Sequence, residues 1–300
     1  TFGERVVGIG HIVAMLSPWR DAIYLKRVWC LFEAWTATNT ENCELEFVLT
    51  DKEAEDFRSS LCGTAGLDEV WRALSGISVE SAEATMAEDK DNILALVRGS
   101  ERGAVGLDRA LTMRLQTWFV NAGMGHLRLV TGRTGDLFPD TSKLFVALTR
   151  FNIDLGRLGE ALELITAGLD YCDRGVSQPD VSDEDKRDFQ IHYAQLASDR
   201  GVIFNERGDF AMALEAFELS LKRFAIAGKT QCIITVPVIC RIGDTLRELG
   251  NFDEALNRIV EAFQVLYDPI DGRDGRMSTD EVQLHLSLAT IQSWRGQFGE

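Results

Sequence analysis

Three segments decide the fold, because they repeat one pattern in phase: Gly156-Arg-Leu-Gly-Glu-Ala-Leu162, Gly208-Asp-Phe-Ala-Met-Ala-Leu214 and Gly250-Asn-Phe-Asp-Glu-Ala-Leu256. Each copy stands between two stretches with helical periodicity. The glycine can end a helix by adopting left-handed dihedral angles, and the alanine lets two helices approach closely. A helical bundle in which an Ala-Leu pair recurs by chance is the alternative. Three copies in phase, with a fourth beginning at Gly296, favour successive helical hairpins over it.

Further positions extend the pattern beyond the turn. Copy two carries Gly201 in its first helix and Phe217 in its second, and copy three carries Gly243 and Ile259. This combination resembles the tetratricopeptide repeat (TPR), whose minimal unit is about 34 residues. The longer period found here is similar to the repeats of kinesin light chains and nephrocystin-type proteins. The resemblance implies an all-α TPR solenoid over residues 141–300, with repeats at about 141–175, 186–227, 231–268 and 278–300, and we expect more repeats to follow residue 300.

In a TPR array the first helices line a concave groove that binds peptides or partner helices. Kinesin light chains use this groove for cargo peptides of acidic character, and arginine binds carboxylates bidentately. We therefore expect a protein or peptide partner carrying Asp or Glu, with Asn205 holding its backbone. Alternatively, the cations are solvated and paired with Asp154, Glu206 or Glu248. The resemblance places these residues in the groove: Lys143, Val146, Arg150, Ser198, Val202, Asn205, Arg241, Asp244, Arg247, Leu286, Thr290 and Ser293.

The charge balance excludes several other classes of partner. Lys and Arg number 31 against 47 Asp and Glu, which gives a net charge of -16. Such a chain repels nucleic acid and anionic membrane surfaces. No apolar run approaches the ~20 residues that cross a bilayer, so we expect no membrane association.

Metal and cofactor motifs are also missing from the sequence. The six cysteines form no CxxC pair and the four histidines no zinc spacing, so we expect reduced thiols, a cytoplasmic location, no metal and no cofactor. Gly228-Lys-Thr230 lacks the upstream glycine of a phosphate-binding loop, since Arg223 takes that position. We predict a turn there.

The first part of the chain has a different pattern. An apolar run at residues 9–16 predicts a strand buried on both faces, residues 24–37 a helix, and residues 44–50 a second strand. This order predicts a βαβ unit with a partial parallel sheet. We place an α/β module with a helical tail at residues 1–125, a glycine-containing linker at 126–140, and further helices at about 51–62, 66–75, 88–99 and 106–121.

A strand ending in Leu16-Ser-Pro18 and a helix carrying Trp29-Cys-Leu-Phe-Glu33 resemble the central part of Toll/interleukin-receptor (TIR) domains. The module resembles still more closely one that precedes such repeats in large proteins of eukaryotic microbes. In TIR enzymes that cleave NAD the matching glutamate is catalytic, which implies a catalytic Glu33. From the residues alone, a helix-surface glutamate is otherwise solvated or paired. The leading hypothesis is an interaction scaffold or adaptor, and the alternative is an NAD-cleaving signalling enzyme regulated by its repeats.

Overall fold

The computed structural model describes residues 2–40, 43–61, 69–70, 72–73, 77–100, 103–132, 137–230 and 232–267, and also residues 285, 287, 288 and 290. The chain divides into two compact units, Thr1–Gly132 and Arg133–Glu300. Among the described helices, none has both the length and the apolar character needed to cross a bilayer.

The first unit contains a small parallel sheet and several helices. Strand β1 pairs in parallel with β2, so that His11 lies opposite Glu44 and Met15 opposite Val48. Helix α2 connects the two strands, which confirms the predicted βαβ unit. The elements are α1 (Phe2–Ile9), β1 (His11–Met15), two short 3-10 turns (Trp19–Asp21 and Ile23–Lys26), α2 (Val28–Thr38), β2 (Glu44–Val48), α3 (Asp51–Leu61), α4 (Ala87–Arg98) and α5 (Gly103–Thr131).

The prediction that residues 9–16 form a strand buried on both faces is wrong. Ile9 is the last residue of α1, and in β1 the side chains of Val13 and Met15 are 55% and 54% exposed. The opposite face of the sheet, with Ala14, Leu45 and Phe47, is buried. Because side chains alternate along a strand, covering one face leaves the other in solvent. The continuous apolar run therefore combines the end of a helix with a strand that is buried on one face.

Two predicted helix boundaries also need correction. Residues 23–26 form a 3-10 turn, and α2 begins only at Val28. Helix α5 extends to Thr131, so residues 126–131 of the predicted linker are helical. The buried residues of α5 recur about every fourth position and include Gly123. This glycine therefore packs inside the helix and does not end it. The helix predicted at 66–75 lies mostly outside the described residues.

The first unit is held together by a cluster of aromatic rings. Trp19 meets the rings of Phe57 and Phe119 edge-on, at centroid distances of 5.3 and 6.1 Å. The indole nitrogen of Trp19 donates a hydrogen bond of 2.8 Å to Asp56 on α3. Trp118 of α5 packs against Phe47 of β2 at 6.4 Å. These contacts join α3, α5 and the sheet around one core.

In the described residues of the second unit, up to Tyr267, the helices pack as three consecutive hairpins, α6–α7, α8–α9 and α10–α11. The second helix of each of the first two hairpins also packs on the first helix of the next. In addition, the first helices lie side by side, α6 against α8 and α8 against α10. The helices are α6 (Pro139–Asp154), α7 (Leu158–Ser177), α8 (Asp183–Glu206), α9 (Phe210–Ile226), α10 (Val236–Glu248) and α11 (Phe252–Tyr267).

The three hairpin turns share one backbone geometry. Gly156, Gly208 and Gly250 have φ angles of 71°, 81° and 81°, in the left-handed region that favours glycine. In the first turn, Arg157 N–H donates to Asn152 C=O at 2.8 Å, and Gly156 N–H donates to the Ile153 carbonyl, also at 2.8 Å. The same two bonds recur at the other two turns. They satisfy carbonyl groups at the helix end, as in a Schellman motif.

The same motif ends α9 at Gly228, which has a φ of 76°. Lys229 N–H donates to the Phe224 carbonyl at 2.8 Å. Gly228-Lys-Thr230 is therefore a turn after a helix, as predicted.

The two helices of each hairpin pack through small residues. A Cβ atom added at Gly201 lies 2.5 Å from the Phe217 ring, and one at Gly243 lies 2.8 Å from Ile259. Both large partners are completely buried. The alanines of the repeated pattern are also completely buried: Ala161, Ala213 and Ala255. The predicted fourth copy at 278–300 lies almost wholly outside the described residues.

Candidate binding face on the first helices

Polar side chains connect the first helices of adjacent hairpins. Two contacts link α6 to α8, and two link α8 to α10. These residues, with the neighbouring Lys143, are called the first-helix face below. They are Ser142, Lys143, Arg150, His192, Ser198, Asp199, Asn205, Arg241 and Thr245.

The α6–α8 contact begins with Ser142 and His192. The Ser142 hydroxyl lies 2.6 Å from Nδ1 of His192. Burial, together with the positive charges of Lys143 and Arg150, lowers the pKa of His192 to about 4. The imidazole is therefore neutral near pH 7, and both cations lie close to it.

Asp199 is the buried anion of the first-helix face. It is 4% exposed and accepts a hydrogen bond of 3.2 Å from Nε of Arg150. Burial raises the pKa of Asp199, while the charges of Arg150 and Arg241 oppose that rise. Arg241 reaches from α10 to donate to the Ser198 hydroxyl at 3.1 Å. Asp199 thus lies between two arginines that come from different helices.

Part of this positive charge faces solvent. The Arg150 side chain is 42% exposed, and its only hydrogen bond among the described residues uses Nε. Its two terminal nitrogens remain open to a ligand. Lys143 is half-exposed and forms no ion pair within the described part of the chain, although it lies near Asp188. Arg150 and Arg241 therefore lie near the buried Asp199, and Lys143 lies with Arg150 near His192. Two more carboxylates are close by, Asp154 near Asp199 and Asp188 near Lys143.

Other predicted groove residues serve the packing between helices. Ser198 is 2% exposed and Val146 is 4% exposed, so neither offers its side chain to a partner. Both side chains are buried because adjacent first helices pack closely together. The amide oxygen of Asn205 accepts a hydrogen bond of 3.4 Å from Thr245. Val202 is only partly buried and packs against the core of the second unit.

At the far end of α10 the charges are paired. Arg247 forms an ion pair of 2.7 Å with Glu248, one of the alternatives that the sequence allowed. Asp244 accepts a hydrogen bond of 3.3 Å from Ser287, and burial raises its pKa. Thr290 is half-exposed, whereas Leu286 and Ser293 lie outside the described residues.

Sequence reasoning missed Asp199 and His192. Both lie on α8, and a charged or polar residue on a helix is usually assigned to the solvent side. The packing of α6 and α10 against α8 buries Asp199, and His192 is half-buried against Ser142 of α6. No motif or spacing in the sequence marks either residue.

Glu33, the predicted catalytic residue of the alternative hypothesis, lies half-buried on α2. Burial raises its pKa, and its charge contributes to the raised pKa values of Tyr24 and Cys30. An open cleft of about 420 Å³ in the first unit lies between β2 and α5, and Glu33 does not line it. NAD cleavage at Glu33 stays a prediction. Among the described residues, no three His, Cys, Asp or Glu side chains group as metal ligands.

Comparison with known proteins gives a broad likeness to solved structures. No family model matches the chain, and no curated protein matches it. The chain is similar to a solved structure, the crystal structure of BtubC (BKLC) from P. vanneervenii. The similarity covers 83% of this chain and 87% of that chain, with 16% identity and a TM-score of 0.46. The TIR-like module finds no support in these comparisons. The contacts described above define the second unit as a helical protein built of consecutive hairpins.

Proposed function

We propose that this chain is a protein-interaction scaffold of the TPR type, and that its first-helix face binds an extended peptide segment containing Asp or Glu. One observation carries the proposal: the buried Asp199 binds Nε of Arg150, whose side chain is 42% exposed, and Lys143 and Arg241 also belong to the first-helix face of a chain of net charge -16. A solvent-facing guanidinium favours an anionic ligand, since arginine binds carboxylates bidentately. The packing of α6, α8 and α10 side by side supplies an extended surface for it.

Asp199 orients Arg150 for this task. The carboxylate of Asp199 binds Nε of Arg150, and the Arg150 side chain is 42% exposed, which leaves its terminal nitrogens for a ligand. A guanidinium oriented in this way loses less side-chain entropy when it binds a carboxylate. Two parallel N–H···O bonds to the ligand are stronger than a contact with a flexible ammonium group.

The overall negative charge does not prevent binding of an acidic segment. At physiological ionic strength the Debye length is about 8 Å, so distant carboxylates on the chain are screened. The attraction between the ligand and the cations of the first-helix face is itself electrostatic and is weakened by salt. Affinity is therefore expected to fall as salt concentration rises.

The experiment measures binding of fluorescein-labelled decapeptides to the full chain by fluorescence anisotropy. One peptide alternates Glu with Ser and Gly, and its control carries Gln in place of Glu. The Glu peptide is expected to bind more tightly. Lys143→Glu is expected to weaken it about tenfold, because it replaces one attraction by a repulsion of similar size.

Lys222→Glu is the matched control variant, since Lys222 is exposed on the second helix α9. It makes the same charge change away from the first-helix face and is expected to alter the affinity less than twofold. Equal affinity for the Glu and Gln peptides, or equal losses in the two variants, contradicts the proposal. Such a chain is better described as a structural spacer.

A further inference from the structure

Within the described part of the first unit, one edge of the β2 strand is paired with β1 and the other has no hydrogen-bonded neighbour. Glu44 N–H donates to the Gly10 carbonyl, and the Val48 carbonyl accepts from Leu16 N–H, both at 2.9 Å. Backbone groups alternate in direction along a strand, so those of Leu45 and Phe47 point to the opposite edge. Among the described residues, nothing forms a hydrogen bond with the backbone of Leu45 or Phe47 on that edge.

A groove runs along this open edge. It is the open cleft of about 420 Å³, with β2 residues 44–47 on one side and α5 on the other. Four strand residues span about 13 Å, the length of a short extended peptide. The residues of α5 that line the groove follow helical spacing and lie on one face: Met113, Arg114, Thr117, Trp118 and Asn121.

The two sides of the β2 strand differ sharply in chemistry. Leu45 and Phe47 are buried on the side that faces α5, where Trp118 packs against Phe47 and Met113 is 57% exposed. Glu44 and Glu46 are exposed on the other side, where Glu46 lies 3.2 Å from Nε2 of His11. A strand added at this edge therefore places alternate side chains against apolar groups and against carboxylates.

We propose that the β2–α5 groove binds an extended peptide that alternates apolar and basic residues and pairs with β2 as a third strand. Backbone hydrogen bonds to Leu45 and Phe47 provide affinity for any extended segment. The apolar side chains contact Met113 and Trp118. Lysine or arginine side chains lie opposite Glu44 and Glu46, where opposite charges stabilise a cross-strand pair.

A second copy of this chain fits the edge poorly. Pairing two β2 edges brings Glu44 and Glu46 of one copy opposite the same residues of the other, and like charges opposite each other are destabilising. Two chains that each carry a net charge of -16 also repel one another. An acidic peptide meets the same repulsion from Glu44 and Glu46, although Arg114 of α5 also lines the groove. The β2–α5 groove thus favours a basic peptide, whereas the first-helix face favours an acidic one.

The first test uses the unaltered chain and a blocked, labelled octapeptide that alternates Val and Lys. Two modified peptides carry N-methyl groups either on every Val or on every Lys. In strand addition only every second peptide N–H points toward β2, so one modified peptide is expected to lose binding and the other to retain it. The identity of the inactive peptide reports the strand direction. Equal binding by both modified peptides overturns the proposal.

The second test reverses the charge of the groove. The double variant Glu44→Lys, Glu46→Lys is expected to bind the Val-Lys peptide about tenfold more weakly and a Val-Glu peptide more tightly. The matched control, Glu163→Lys with Glu215→Lys, changes the net charge equally at exposed helical sites. Equal losses in the two double variants overturn the proposal. Sedimentation of the wild type gives a further check. A dimer that the Val-Lys peptide fails to dissociate also overturns the proposal, because a second copy of the chain then occupies the open edge of β2.

Discussion

Gly201→Ala tests the packing on which the hairpins depend. The added Cβ lies 2.5 Å from Cε1 of Phe217 and 2.7 Å from Cδ1, whereas ordinary contacts begin at 3.4 Å. The ring must therefore move by about 1 Å. Phe217 is completely buried, so a shift of its ring disturbs the packing around it. We expect the substitution to strain the α8–α9 hairpin.

The free energy change combines two opposing effects. Overpacking a buried site costs up to ~3 kcal/mol. Replacing glycine by alanine inside a helix gains ~1 kcal/mol. The expected result is a loss of ~2 kcal/mol in the free energy of unfolding. With a urea dependence of roughly 2 kcal/mol per molar, the unfolding midpoint falls by about 1 M.

The assay is urea unfolding followed by far-ultraviolet circular dichroism. Gly159→Ala is the control, because Gly159 is exposed in α7 and a Cβ there meets nothing within 4 Å. This variant is expected to match or slightly exceed the wild type. In a Phe217→Leu background the cost of Gly201→Ala should shrink by ~1 kcal/mol or more, since the two positions are in contact.

Two results refute this reasoning. One is a Gly201→Ala variant as stable as the Gly159→Ala control. The other is a cost that stays the same in the Phe217→Leu background, which means that the two residues do not meet in solution.

Two further predictions concern pH and the hairpin turns. The pKa of His192 in the folded chain is about 4, below its ordinary 6.5, so the unfolded chain binds the proton first as the pH falls. The free energy of unfolding should therefore decrease by at most ~3 kcal/mol as the pH falls from 6.5 to 4. Urea midpoints measured at both pH values check this, and His192→Gln should remove the part of the decrease that is due to His192. Gly208→Ala forces a residue with a side chain to a φ of 81° and should lower the free energy of unfolding by ~1 kcal/mol. Gly208→Asn should lose less in the same assay. Equal stability of Gly208→Ala and the wild type contradicts the turn geometry.

Proposed binding sites of opposite charge preference suit a scaffold. The first-helix face carries Lys143, Arg150 and Arg241, and the β2–α5 groove carries Glu44 and Glu46. An acidic and a basic segment then bind without competing for the same charges. Each site is tested by its own peptide, so failure at one leaves the other open to test.

The sequence predicted the hairpins because their signals are local. A glycine that must adopt a positive φ stands within a few residues of the helix that it ends, and Gly201 and Phe217 face each other across one short turn. Such contacts follow from the periodicity of two neighbouring helices. The βαβ unit was also predictable, since a helix between two short strands favours parallel pairing.

The chemistry of both candidate sites depended on contacts between distant parts of the chain. Arg150 and Asp199 are 49 positions apart, and only the packing of α6 on α8 brings them together and buries the carboxylate. The open edge of β2 likewise depends on which elements lie beside it. Periodicity describes a single element and its nearest neighbour along the chain. Which polar groups become buried, paired or left at an edge is decided by how separate elements pack, because burial and pairing are properties of the contact between them.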